Sequence, residues 1–266
     1  MTRLVLFMAA CLLSLGGHAA SYSTDNSDLW WADPPGSENG WGIQIVQRNA
    51  TIFATMFVYG VNGQPTWYVA TMTPPTKGGL TWSGSLYATT GPWFGAVPYQ
   101  SSQFTAVQVG SMTFIPTSQW TATLTYSVNG LAISKSLTRQ TLVNEDYSGH
   151  FGGAIHQELA GCANAALNTT TESLGTLTIT QSGTAFSMQT SFAGTSCVYN
   201  GTLTQYGQAG DVIGTHSCTD GSQGSFEIYE LQVTERSIVG HFRATDTSPQ
   251  GCTPSGYFGG IQVTAF

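Results

Sequence analysis

Glu38 is the carboxylate in this sequence best placed for acid–base chemistry, because Trp30, Trp31 and Trp41 lie close to it along the chain. An acid among indole rings is a composition that sugar-binding clefts share, and glycoside hydrolysis needs two carboxyl groups flanking one bond. The second group would have to come from Asp25, Asp28, Asp33 or, near the midpoint, Glu145 and Asp146. The competing assignment is structural: the Glu38 carboxylate accepts hydrogen bonds from the backbone N–H groups of a turn beside a packed tryptophan. That assignment is the favoured one, and it leaves the aromatic rings themselves as the recognition chemistry. Trp93 and Phe94 stand out, since they fall in the long irregular stretch Thr89–Thr105, where a ring has little core duty and can stack on a sugar or an apolar ligand. Candidate ligand-binding residues are therefore Trp30, Trp31, Glu38, Trp41, Trp93 and Phe94. Phe53, Phe57, Tyr59 and Trp67 occupy strand positions and are expected, with Trp41, to pack in a core.

Other catalytic constellations are missing from the sequence. There is no G-x-S-x-G elbow and no phosphate-binding glycine loop between a strand and a helix. His150 and His156 share parity on one strand, but six residues at about 3.3 Å each separate them by about 20 Å, too far for one ion. His216 and His241 could approach each other across strands. Glu227 and Glu230 have opposite parity, so one of them is expected to point inward, with Arg236 or Arg243 as its partner. No metal site, cofactor or catalytic residue is assigned.

The elements that must position these groups are strands. Charged residues make up 8% of the chain, net charge is −7, and there are 32 glycines among many Thr and Ser. So few cations exclude a nucleic-acid partner, whose phosphates require clustered Lys and Arg. A content of 41% hydrophobic and 12% aromatic residues is enough to fill a core. Arg3, the apolar run Leu4–Leu15 and the small residues Gly17–Ala20 read as a signal peptide over residues 1–20, too short to anchor in a bilayer. The mature protein is thus expected in the periplasm or outside the cell, not spanning a membrane. All seven tryptophans precede residue 144 and the remaining cysteines, Cys162, Cys197, Cys218 and Cys252, follow it. This divides the chain into a Trp-rich β domain, 21–143, and a disulfide-containing β domain, 144–266.

Period-two alternation runs through both domains, as in Ala122, Leu124, Tyr126 and Val128 against Thr121, Thr123, Thr125 and Ser127. Asn129-Gly130 marks a type I′ hairpin. A short helix is conceivable at Leu159–Leu167. Cys197 and Cys218 flank Tyr206–Gly210 symmetrically, which makes them cross-strand neighbours in a hairpin and leaves Cys162 to pair with Cys252. Ser148-Gly-His-Phe-Gly-Gly recurs as Ser255-Gly-Tyr-Phe-Gly-Gly, in the first and last strands of the second domain. If eight strands close up-and-down, first and last become neighbours. The fold class is all-β: two antiparallel domains, meander barrel or sandwich, the second a closed eight-stranded barrel with two disulfides.

The first domain carries a longer pattern: Leu29–Pro34, Glu38-Asn39-Gly40-Trp41-Gly42, Phe53-Ala54-Thr55-Met56-Phe57-Val58-Tyr59, and Gly63-Gln64-Pro65-Thr66-Trp67-Tyr68. It resembles a module of exported Gram-negative proteobacterial proteins of uncharacterised function, W-W-x(4)-E-x-G-W-G, F-A-T-x-F-x-Y and G-x-P-x-W-Y. Leu86–Pro92 and Lys135–Gln140 look like its continuation, and the Pro34-Pro35-Gly36 insertion and Asn39 depart from it. The resemblance implies export and β structure, and no reaction. The resulting expectation is a non-catalytic binding protein for a glycan or apolar small ligand. A carbohydrate-active hydrolase, and a structural envelope component with a protein partner, are the alternatives.

Overall fold

The computed structural model describes residues 25–76 and 79–263; the signal segment expected at 1–20 and the terminal Phe266 lie outside the described residues. Two closed barrels follow one another along the chain. The first comprises β1 (Asp28–Ala32), β2 (Gly42–Arg48), β3 (Thr51–Tyr59), β4 (Pro65–Met72), β5 (Trp82–Thr90), β6 (Thr105–Pro116), β7 (Thr121–Val128) and β8 (Leu131–Arg139). The second comprises β9 (Gly149–Ala160), β10 (Thr169–Ser182), β11 (Ala185–Phe192), β12 (Thr195–Tyr206), β13 (Ala209–Cys218), β14 (Gln223–Val233), β15 (Ser237–Asp246) and β16 (Thr253–Gln262). Each strand pairs antiparallel with its neighbours in sequence, so the first domain is a barrel and not a sandwich.

Alternation explains closure. Inward residues such as Ile43, Met56, Met112, Phe114, Leu124 and Leu137 fill the first barrel, while Thr121, Thr123 and Thr125 stay outside it. Phe151, Leu177, Phe186, Val212, Ile228 and Phe258 fill the second. Among the described residues no helix is long and apolar enough to cross a membrane.

Asn129 and Gly130 both take positive φ, as a type I′ turn requires. The seam of the second barrel joins β9 to β16, setting Gly153 opposite Gly260 within the sequence echo. A Cβ on Gly153 would come within 2.0 Å of the Gly259 carbonyl oxygen, so glycine is required where the seam closes. Both disulfides form as expected, Cys162–Cys252 and Cys197–Cys218. The helix conceived at 159–167 does not form. β9 continues to Ala160 instead, and a single 3₁₀ turn, Ala165–Leu167, follows the Asn164 side chain, which accepts from the Ala166 N–H. The five-residue β1 had no strand assignment from sequence, its alternation being too short to register.

The barrels are joined through a buried ion pair. Arg139 and Asp28 sit at the β1–β8 seam, 3.2 Å apart, with both side chains almost wholly buried. The guanidinium also donates to the Gln119 and Asp25 carbonyls and lies 4.9 Å from the Trp30 ring centroid. The same Asp28 oxygen, Oδ2, also accepts from the Gln208 N–H at the tip of the β12–β13 hairpin. Gly207 there has φ +63°, and a Cβ on it would fall 2.0 Å from Asp28 Oδ2. Tyr206 stacks on Trp120 at 4.5 Å between centroids. Gln205 hydrogen-bonds to the linker at Val143 and Glu145, and Tyr147 is buried in the second core.

Asp28→Ala should cost about 3–5 kcal/mol in chemical denaturation, because it strands a buried guanidinium, and Asp28→Ala/Arg139→Met should recover most of that loss. From loop lengths of 90 and 21 residues, serine replacement should cost about 4.6 kcal/mol for Cys162–Cys252 and about 3.3 kcal/mol for Cys197–Cys218. The same titration would detect a reversed order.

Candidate functional site

The strand order places the residues singled out from sequence at two depths of the first barrel. Odd-numbered strands run away from the second barrel, so the loops 33–41, 60–64, 91–104 and 129–130 gather at its free end. Glu38, Trp41, Trp93 and Phe94 all belong to that end. Trp30 does not: it is 1% exposed and packs edge-on against Phe114, so no face of its ring is open to a ligand. Trp31 is half-buried on the outer wall with its Nε1 enclosed and without a partner.

Glu38 has a different role from the one expected. Its backbone carbonyl, not its carboxylate, closes the turn by accepting from the Trp41 N–H at 3.3 Å. The carboxylate pairs with Lys135 Nζ. Lys135 lies opposite the buried Leu124 and so shares its inward face. Its ammonium stands 5.5 Å from the Trp41 ring centroid, and Trp41 Nε1 donates to the Tyr126 hydroxyl. The three groups form a cap on the barrel interior.

The loop from 91 to 104 is built differently. Trp93 (68% exposed), Phe94 (89%), Val97, Tyr99 and Phe104 all face solvent. Trp93 and Phe94 have ring centroids 5.5 Å apart at 52°. A Cβ on Gly95 would lie 2.5 Å from the Trp93 ring, so a glycine there lets the indole fold over its own loop. Phe53, Phe57, Tyr59 and Trp67, expected in the core, are exposed as well. Their parity is opposite to that of Ile52, Ala54, Met56 and Ala70, which hold the interior, and Phe57 pairs with Trp67 across β3 and β4 on the outer wall. Apolar content at both parities hid which row was inward.

The titratable groups concentrate on the outer wall of the second barrel. One cross-strand row runs Glu172, His156, Tyr257, His241, Tyr229 through β10, β9, β16, β15 and β14. His156 stacks on Tyr257 at 4.7 Å and lies 3.4 Å from Glu172, while His241 lies 3.5 Å from Glu230. A shallow cavity of about 510 Å³ covers part of this row. Two expectations fail here. A β-bulge with Glu230 at φ 52° shifts the register of β14, so Glu230 pairs with His241 and Glu227 with Arg243 on the same outer face. His216 cannot approach His241, since it faces into the barrel and β14 lies between their strands. Among the described residues no group of three or more His, Cys, Asp or Glu is arranged to hold a metal ion.

Asp211 lies beside this wall with Oδ1 buried and unpartnered. Burial, then the nearby Glu227 charge, pushes its carboxyl up to about 6, against partial relief from Arg243. A raised carboxyl pKa favours the folded state while the group is protonated, and the advantage is lost as pH rises from about 4 through about 6. Asp211→Asn should therefore raise the Tm at pH 7 and leave it nearly unchanged at pH 4. Equal shifts at both pH values would contradict this assignment. No protein-family model matches the chain, and no curated protein is significantly similar to it.

Proposed function

We propose that this chain is an exported, non-catalytic binding protein whose first barrel presents its free-end aromatic loop to an apolar ring face, that of a glycan or of a small apolar ligand. The observation that carries this reading is the joint exposure of Trp93, Phe94, Val97, Tyr99 and Phe104 on one loop. A solvated loop that holds five large apolar side chains out of a core sets up a contact surface. The exposed Phe57–Trp67 pair on the adjacent wall extends the same chemistry. Flat rings among hydroxyls suit the C–H face of a sugar, which needs no ionic partner.

Export is supported by the two disulfides, which persist in oxidising compartments such as the periplasm or the extracellular medium. The apolar run at residues 4–15 and the resemblance of about residues 29–142 to exported modules point the same way. Binding without turnover is supported by the engagement of the Glu38 carboxylate with Lys135 in the barrel cap.

The test is retention on a panel of insoluble polysaccharides, with enhancement of an anilinonaphthalene sulfonate fluorophore as the apolar arm. Trp93→Ala/Phe94→Ala should weaken binding about tenfold or more, equivalent to about 1.4 kcal/mol, at unchanged Tm. Undiminished binding by the double variant would remove the loop from the site. Glycan turnover abolished by Glu38→Gln would replace the reading with a hydrolase.

A further inference from the structure

The second barrel is plugged at one end by Tyr147 and the docked linker and open at the other. The open end is where β9, β11, β13 and β15 finish, and both disulfides lie there. A cavity of about 210 Å³ enters the barrel at this mouth, and a rim cleft of about 770 Å³ adjoins it, the two sharing Gln157, Asp220, Ser222 and Pro254. At about 30 Å³ per water, the inner cavity holds about seven water volumes, the scale of one sugar ring.

His216 lines that inner cavity. It is 7% exposed, and its Nδ1 is buried with no hydrogen-bond partner. The imidazole also hydrogen-bonds to the Ser225 backbone, and burial holds its pKa below the usual histidine value, against smaller opposing effects from Asp246 and Asp220. A neutral ring that donates one N–H to the backbone presents its other nitrogen as an acceptor. Nδ1 is thus a buried acceptor awaiting a donor, and a buried polar atom left unpaired carries a desolvation cost that a ligand can relieve.

We propose that the mouth of the second barrel binds a small, neutral, hydroxyl-bearing molecule, one of whose O–H groups donates to His216 Nδ1. The rest of the lining selects that chemistry. Gln157, Thr171, Ser173 and Thr190 offer uncharged hydrogen-bonding groups, and Phe192 and Phe242 offer apolar faces. No Lys or Arg lines either cavity, whereas Asp220 and Asp246 stand at the rim, so an anion meets repulsion without a counter-charge. A cation is disfavoured for a different reason. Asp220 Oδ1 already accepts from the Ser222 N–H and hydroxyl, and Asp246 accepts from Gln223 and Ser248, so these carboxylates brace the backbone of the rim. A cation at the cavity floor would lose its hydration beside His216, Ser173 and Thr190, none of which carries a negative charge. This site is separate from the aromatic loop of the first barrel and does not depend on it.

The experiment is NMR on the full mature chain with labelled histidine, reading the His216 ring nitrogens and ligand saturation transfer. The probes are glucose, galactose and N-acetylglucosamine, with choline as the cationic control and glucuronate as the anionic control. At least one neutral sugar should shift Nδ1 and receive saturation at millimolar concentration, and the controls should do neither. His216→Phe should lower that affinity about tenfold or more, the loss of one buried hydrogen bond. Trp93→Ala/Phe94→Ala should leave it unchanged, which separates this site from the one on the first barrel. Should His216→Phe fail to fold, Thr190→Val provides the second variant, removing a hydroxyl from the wall beside Tyr199, and it too should weaken binding. The proposal is overturned if no neutral sugar perturbs His216, if choline or glucuronate does so instead, or if the folded variant binds like the parent protein.

Discussion

The Asp28–Arg139 ion pair is the interaction on which the arrangement of this protein turns. An eight-stranded barrel must join its first strand to its last, and here the first is five residues long and pairs with β8 at Trp30, Trp31 and Ala32, with one backbone hydrogen bond beyond each end, Gln140 N–H to the Leu29 carbonyl and Asp33 N–H to the Ser136 carbonyl. So short a seam has little ladder to hold it. Arg139 reinforces it by crossing from β8 to the β1 carboxylate and to backbone carbonyls around it. A buried pair of this kind contributes modest net stability, but losing either member is expensive because the survivor stays desolvated. The pair therefore fixes the geometry of the seam more than it adds to the free energy of folding.

The same carboxylate seats the second barrel. The Oδ2 that meets Arg139 also takes the Gln208 N–H, and Gly207, which has no Cβ, lets the hairpin approach closely enough. With Tyr206 against Trp120 and Gln205 holding the linker, one end of each barrel is occupied. The two remaining ends are free, and they are chemically unlike. The free end of the first barrel is capped inside by Glu38, Lys135 and Trp41 and projects aromatic rings outward. The free end of the second is braced by disulfides and stays open, with the unpaired Nδ1 of His216 inside it. Closure of both sheets leaves neither with an edge strand. Recognition is thus left to loops, walls and mouths.

Legibility from sequence differed by type of feature. The disulfide pairing was readable because hairpin symmetry and the terminal echo each bear on it: Cys197 and Cys218 are direct cross-strand partners, and Gly153 meets Gly260 at the seam. Trp93 and Phe94 were readable as exposed because their loop has no strand period. Phe53, Phe57, Tyr59 and Trp67 were misassigned because β3 and β4 are apolar on both faces, so alternation could not say which row was inward. Glu230 escaped parity counting because a bulge adds a residue and returns the side chain to the outer wall. His216 was named in the sequence reading, but only as a possible neighbour of His241, since no local pattern shows which side of a closed sheet a residue faces.

What the sequence determined by itself was local and periodic. Alternating residues with glycine turns specify antiparallel strands, and four cysteines in the second half specify its cross-links. The tertiary structure decided whatever depends on closure and register. It made the first domain a barrel, set Arg139 beside an aspartate more than a hundred residues away, and brought β9 beside β16. It also turned His216 inward to a cavity while His156 and His241 faced solvent. The physical reason is that side-chain direction in a strand is binary and local, whereas inside and outside are defined only when the last strand meets the first.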